Sequence, residues 1–418
     1  MPGASSSPSL RVAFLTYRGN PYSGGQGVYT AELCRGLAAL GHRVTVFSGP
    51  PYPHLDPSVE LVQVPSLDLY REPDPFRVPR PGEFHSAVDL LEFGIMCTAG
   101  FPEPLTYSLR VARLLRARRD HFDVVHDNQC LGRGIGSLVD EGWPVLASVH
   151  HPITVDRDLD LAHAATLRRR VTLRRWYGFI AMQKKVLARI PRVITVSESS
   201  RRDLVAQLGL DPTRMAVIPV GVDTERFRPL PHVRPVPGRL MTTASADAPL
   251  KGLVPLLEAL AKVRTERDDA HLVVVGRLRE GSEVPAVLSR LGLDGGAVRF
   301  EGGISNERLT ELYAEAEVAV VPSLYEGFSL PAIEAMACGV PLLATTGGAL
   351  PEVAGDAARL VPPNDPGALA LELLDLLEDD DARRSLGLAG RRRVLERFTW
   401  RAAAEQTVEQ YRALLEQS

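Results

Sequence analysis

The chain has 418 residues, 45% of them hydrophobic and 24% charged, with 48 basic against 51 acidic side chains for a formal charge of −3. That length predicts two or three domains, each able to bury its own core, and that balance excludes a disordered, fibrous or stapled mini-protein. Near neutrality leaves no global field to draw in nucleic acid, so no nucleic-acid partner is expected. Cys34, Cys97, Cys130 and Cys338 lie far apart with no C-x-x-C pair, and read as buried thiols rather than as a zinc site or a disulfide framework. No apolar run approaches a bilayer's thickness, and Met1 to Ser9 lacks the regions of a signal peptide, so a cytoplasmic protein is expected.

Short β-branched runs alternate with helical patterns along the whole chain, which predicts an α/β fold with parallel sheets. In the first half the strands are expected at 11–16, 43–48, 59–64, 123–126, 145–149, 192–196 and 215–219. In the second half they are expected at 239–244, 271–276, 298–301, 318–322, 341–345 and 359–361. The stretch 228–238, RPLPHVRPVPG, carries four prolines and reads as a stiff connector. It divides the chain into residues 1–230 and 231–398, with a last helix within 399–418 free to pack on either. The proline-rich stretch 50–104 reads as a long functional loop overhanging a cleft.

The run Pro21 to Tyr29, PYSGGQGVY, opens a helix after the first strand and puts Gly24, Gly25 and Gln26 at a ligand edge. Glycines there either admit a phosphate or acceptor closely or serve the turn alone. His126, Asp127 and Asn128 end the fourth strand and suit either acceptor hydroxyls or plain loop capping. His150 and His151 end the fifth strand at the same edge, where a side chain either projects into a cleft or is simply structural. Residues 167–189 interleave arginines and lysines with Trp176, Tyr177 and Phe179. That pattern fits a charged face over an aromatic stripe, or a peripheral membrane contact.

In the second half, Tyr325 to Pro341 reads YEGFSLPAIEAMACGVP and follows an apolar strand. Gly327 and Ser329 suit a tight turn, Pro331 suits the first residue of a helix over 331–338, and Gly339 stops it. The amides near Phe328 to Leu330 then stand unpaired at the positive end of the helix, ready for phosphate. Glu326 and Glu334 either accept hydrogen bonds from sugar hydroxyls or complement the helix dipole.

The Glu326-x7-Glu334 pair, followed by Gly347, Gly348 and Pro351-Glu352, resembles the retaining nucleotide-sugar glycosyltransferases of family 4, also called group 1. VITVS at 193–197 and IPVGVDTERF at 218–227 extend the resemblance over nearly the whole chain. It implies a GT-B fold, two facing Rossmann-like domains with an interdomain cleft, the first for the acceptor and the second for the donor. It implies that Glu334 holds the ribose hydroxyls, that Glu326 contacts the donor sugar, and that Gly25 and the amides of Gly327, Phe328, Ser329 and Leu330 hold sugar and pyrophosphate. Gln26, with Asp127 and Asn128, falls to the acceptor, and His150 matches the family histidine, although His151 replaces the neighbouring aspartate. Lys251 matches the lysine that neutralises the leaving diphosphate. The arginine usually found five residues earlier is here Ala246, and Arg277 could replace it or lie idle on the surface. The base is expected against the loop 302–305.

The resemblance implies transfer of a sugar, with retention, from a nucleoside diphosphate donor to a hydroxyl of a carbohydrate, lipid or small-molecule acceptor, with no metal and no other cofactor. A sugar phosphorylase, a nucleotide-sugar epimerase or a non-catalytic nucleotide-sugar binder would share this architecture.

Overall fold

The computed structural model describes residues 8–20, 25–71, 73–162, 164, 166–243, 249–278 and 281–417. Pro21 to Gly24 and Ala246 lie outside them. Among the described residues thirteen strands form two wholly parallel sheets. The first orders β1 (Arg11–Thr16), β2 (Arg43–Ser48), β3 (Glu60–Gln63), β4 (Val124–Asn128), β5 (Val145–Ser148), β6 (Arg192–Thr195) and β7 (Met215–Val217) as β3-β2-β1-β4-β5-β6-β7. The second orders β8 (Arg239–Thr242), β9 (His271–Val275), β10 (Val298–Glu301), β11 (Val318–Val321), β12 (Leu342–Thr345) and β13 (Arg359–Val361) as β10-β9-β8-β11-β12-β13. Strands buried on both faces must be near-continuously apolar, as RVAFLT, HLVVV and VAVV are.

Both sheets reverse direction of growth at one place, between β1 and β4 in the first and between β8 and β11 in the second. In this architecture the carboxyl ends of the strands at such a reversal are the usual ligand position. Each sheet has its own core: Leu15, Phe47, Val125, Ala147 and Leu115 in the first, Leu240, Leu260, Leu272, Val320 and Leu373 in the second.

The chain forms two compact units, one of 1–196, 200–218 and 400–418, the other of 197–199 and 219–399. The passage from the first to the second thus falls before the proline-rich connector, which travels with the second unit. The last helix, Trp400–Leu415, joins the first unit. Gly36 on the helix Gln26–Ala39 lets it approach, since a Cβ there would lie 3.0 Å from Ala404 Cβ. Tyr411 is its buried anchor, with its hydroxyl 2.7 Å from His126 Nδ1.

Two readings of the sequence need correction. The stretch 50–104 is no continuous loop, because Ala87–Cys97 is a helix whose start is fixed by a reciprocal cap between Ser86 and Asp89. Cys97, in its last turn, is exposed, whereas Cys34, Cys130 and Cys338 are buried, and all four thiols are free.

Candidate functional site

In the second unit, the loops after β8 and β11 carry Lys251 and Glu326, and the strand order brings them together. Lys251 Nζ donates to Glu326 Oε1 at 2.8 Å, and Ser323 Oγ donates to the same oxygen at 2.7 Å. Backbone packing holds both partners. Gly252 follows Lys251 at φ +67°, where a Cβ would stand 1.9 Å from Pro322 O, so only glycine lets this turn lie on the end of β11. The Glu326 carbonyl accepts Ala349 N–H at 2.8 Å, and Gly348, at φ +62°, passes so close that a Cβ would meet that carbonyl oxygen at 2.2 Å.

The helix expected at 331–338 runs over Leu330–Ala337, with Pro331 as its second residue. Its cap, Ser329, is held at φ 94° and ψ 87°, a conformation costly for a residue with a side chain, and its hydroxyl is buried without a hydrogen-bond partner. Among the described residues the amides of Phe328, Ser329 and Leu330 have no acceptor. Strain, an orphan hydroxyl and free donors coincide at one helix N-terminus, which is a concentration of unmet demand for an anion. Gly327 leads into this turn.

Glu334, one turn into the helix, is half-buried and accepts from Tyr313 Oη at 3.3 Å. Burial pushes its carboxyl up to about 7, against the pull of the Tyr313 hydroxyl and of Arg226. Glu326 and Glu334 therefore differ in kind: the first is compensated by a lysine, the second has only neutral company at hydrogen-bond distance. Arg277 is exposed after β9 and lies against the Gly302–Gly303 turn, with a guanidinium nitrogen 3.2 Å from where a Gly303 Cβ would stand. It is thus placed at the loop expected for the base.

In the first unit, Gly25 caps the helix Gln26–Ala39 at φ 71° with open space where a Cβ would point, so its use is conformational. Gln26 opens that helix and is partly exposed. His150, just past β5, is half-buried, with Nε2 2.8 Å from Asn128 Oδ1 and its ring edge-on to Tyr29 at 4.5 Å. Burial, with His151 adding repulsion, drives its pKa down to about 3, so the ring is neutral. His151 instead pairs with Asp156, Nε2 to Oδ2 at 2.9 Å.

The acceptor roles expected of Asp127 and Asn128 do not fit their surroundings. Both are fully buried. Asp127 Oδ2 accepts Leu131 N–H at 2.8 Å, closing the turn that holds Gln129 and Leu131 at positive φ, and burial raises its carboxyl to about 7. Asn128 is spent between His150 and Thr30. Trp176, Tyr177 and Phe179 are each partly exposed, with the Trp176 ring tilted 35° against Phe101 at 5.0 Å, while Leu167, Val171 and the neighbouring arginines are exposed.

Sequence reasoning missed Ser323, Tyr313 and Thr30. Ser323 stood three residues before Glu326 and could have been suspected. Tyr313 and Thr30 gave no signal, because each reaches its partner only through packing of separate elements.

Among the described residues there is no group of three or more His, Cys, Asp or Glu placed to hold a metal, and no helix long and apolar enough to cross a membrane.

Residues 237–379 match the family described as glycosyl transferases group 1, and residues 23–226 match glycosyltransferase family 4. The chain is 50% identical, over 96% of its length and 98% of the relative's, to an MMP alpha-(1->4)-mannosyltransferase of Mycolicibacterium hassiacum. In fold it resembles sucrose-phosphate synthase from Thermosynechococcus elongatus (TM-score 0.71, 24% identity, 97% of this chain and 99% of that one). It also resembles Anabaena HepE in complex with UDP and glucose (TM-score 0.68, 17% identity, 96% and 98%). The comparisons favour neither a phosphorylase, nor an epimerase, nor a non-catalytic binder. With two parallel α/β units of GT-B type and matches along both, the chain belongs to glycosyltransferase family 4 and is a nucleotide-sugar-dependent glycosyltransferase.

Proposed function

We propose that this enzyme transfers a mannosyl residue from a nucleoside diphosphate donor to the 4-hydroxyl of a carbohydrate acceptor, with retention of the α configuration. The sugar and linkage rest on the end-to-end identity with the Mycolicibacterium mannosyltransferase. The donor site rests on one observation, the strained, unsatisfied N-terminus at Ser329 beside the Lys251–Glu326 pair.

In this reading the pyrophosphate meets the turn from Gly327 to Leu330, where the amides of Phe328, Ser329 and Leu330 are already aimed and cost no reorganisation. Lys251, drawn from Glu326 toward the diphosphate, stabilises the charge that develops as the glycosidic bond breaks, and Glu326 is released to hold the sugar. Glu334 accepts the ribose hydroxyls. His150, neutral, offers a nitrogen to a sugar hydroxyl, and Gly25 and Gln26 line the approach. Arg277 supplies a second cation in place of the residue absent at Ala246. With cations and amides in these roles, no metal is needed. The acceptor attacks on the face the diphosphate leaves, and a departing phosphate oxygen takes its proton, so configuration is kept.

The arginines and the exposed Leu167 and Val171 of the helix Leu167–Trp176 support a peripheral contact with an anionic bilayer. Cosedimentation with anionic vesicles, lost on substituting those arginines, tests it.

The central test is to incubate the enzyme with GDP- and UDP-linked mannose and glucose and a manno-oligosaccharide acceptor, then to read linkage and anomer by NMR. An α-(1→4)-mannosyl product is expected. Transfer of another sugar only, or a β product, would overturn the proposal.

A further inference from the structure

Four groups of the first unit form a directional chain of hydrogen bonds: Gln26 carbonyl, Thr30 hydroxyl, Asn128 amide and His150 imidazole. We infer that Thr30 and Asn128 fix the tautomer of His150, protonated at Nε2 and unprotonated at Nδ1, so that its ligand is a hydroxyl that donates rather than a phosphate oxygen that accepts. The inference rests on the reading of His150 as a residue that faces the sugar, and adds how it is set.

The argument is a count of hydrogens. Thr30 lies in the first turns of the helix Gln26–Ala39 and its Oγ1 donates to the Gln26 carbonyl, one turn back, at 2.8 Å. A hydroxyl has one hydrogen, so toward Asn128, 3.2 Å away, it can only accept. Asn128 must therefore turn its NH2 to Thr30, which leaves Oδ1 facing His150 Nε2 at 2.8 Å. A carbonyl oxygen only accepts, so Nε2 carries the hydrogen. The ring is neutral in this buried setting, and a neutral imidazole has one N–H, so Nδ1 is a lone pair.

Nothing nearby competes for these groups. Thr30 and Asn128 are fully buried, and no described residue bonds Nδ1. The ring cannot swing away, because Tyr29 packs edge-on at 81° and the His150 backbone is held at both ends: its N–H donates to Gln129 Oε1 at 2.9 Å, and its carbonyl accepts Ser200 Oγ at 2.9 Å. An unprotonated Nδ1 repels phosphate oxygens and accepts from a sugar hydroxyl, so His150 reads the neutral part of the donor and supplies no proton to the leaving group. Thr30 is a positioning residue, acting only through Asn128.

The test is 15N–1H correlation NMR of histidine-labelled enzyme, the His150 signals being those lost in His150→Ala. A single form protonated at Nε2 is expected at neutral pH, and a form protonated at Nδ1 overturns the relay. Thr30→Val keeps the shape and deletes the hydroxyl, freeing the Asn128 amide to reverse. A second tautomer and a transfer rate about tenfold lower are expected, roughly one hydrogen bond's worth, with Thr30→Ser restoring both. An unchanged tautomer in Thr30→Val overturns the relay. If His150→Ala transfers sugar at the parental rate while the tautomers behave as described, the sugar-facing role of His150 is overturned and the relay alone stands.

Discussion

Donor affinity should depend on pH through one carboxyl. Glu334 has a pKa of about 7 in the free enzyme, raised by burial, yet its proposed work is to accept two ribose hydroxyls, which favours the carboxylate. Binding then releases a proton, so affinity rises with pH up to about 7 and levels off above it. At pH 5.5 only about 3% of the enzyme is ionised there, and the cost of removing the proton is about 2 kcal/mol at 1.36 kcal/mol per unit. The dissociation constant should therefore be at most about thirtyfold larger at pH 5.5 than at pH 8, the half-burial of Glu334 making this an upper bound. The ligand for the measurement is an intact nucleotide sugar, whose diester diphosphate does not titrate in this range, rather than the free diphosphate, which does. Calorimetry in buffers of different ionisation enthalpy should report about half a proton released at pH 7. Glu334→Gln removes the titrating group, so its affinity should be flat with pH and close to the weak acid value of the parent. A parental dissociation constant that does not change between pH 5.5 and 8 would refute both the ribose role and the release of the proton.

Activity is expected to persist in excess chelator, because in the proposed reading Lys251 and the helix-end amides stand in for a metal; a loss restored by magnesium or manganese counts against this. Arg277→Ala should lower kcat by about a hundredfold if it serves the leaving group, with Ala246→Arg restoring activity, and a near-parental kcat at saturating donor would leave Arg277 on the surface. Gly252→Ala should lower the melting temperature and impair transfer, since strain at φ +67° and a clash with the Pro322 carbonyl both displace Lys251; a parental melting curve would contradict the packing. Acid should destabilise the first unit through the buried His126 and the half-buried His150, both lowered to about 3. Between about 6.5 and 4 the protons that the unfolded chain takes up on these rings are offset by those the folded chain holds on Asp127 and Glu103, raised by burial to about 7 and 8; below about 4 the carboxyls are protonated in both states, so stability should fall as pH drops from about 4 to 3, and urea midpoints independent of pH there would speak against the neutral rings.

The parallel α/β class and the thirteen strands of the described residues were legible in the sequence, because a strand buried on both faces leaves a local apolar run that needs no knowledge of its neighbours. The helix Leu330–Ala337 was legible too, through Pro331 and Gly339, whose backbone preferences are local, and the family showed in the spacing of Glu326 and Glu334. What the sequence could not show is partnership across distance. Lys251 and Glu326 meet because the strand order places β8 beside β11, and that order is a property of the whole sheet. Asp127 and Asn128 looked like ligands for an acceptor because polar residues at a strand end usually face solvent. Only the packing of the helix Gln26–Ala39 and the turn 129–131 over them shows both spent inside the protein. The difference between His150 and His151 likewise comes from tertiary structure: identical side chains became a neutral, clamped ring and a partly exposed partner of Asp156, since burial and neighbours, not residue type, decide what an imidazole can do.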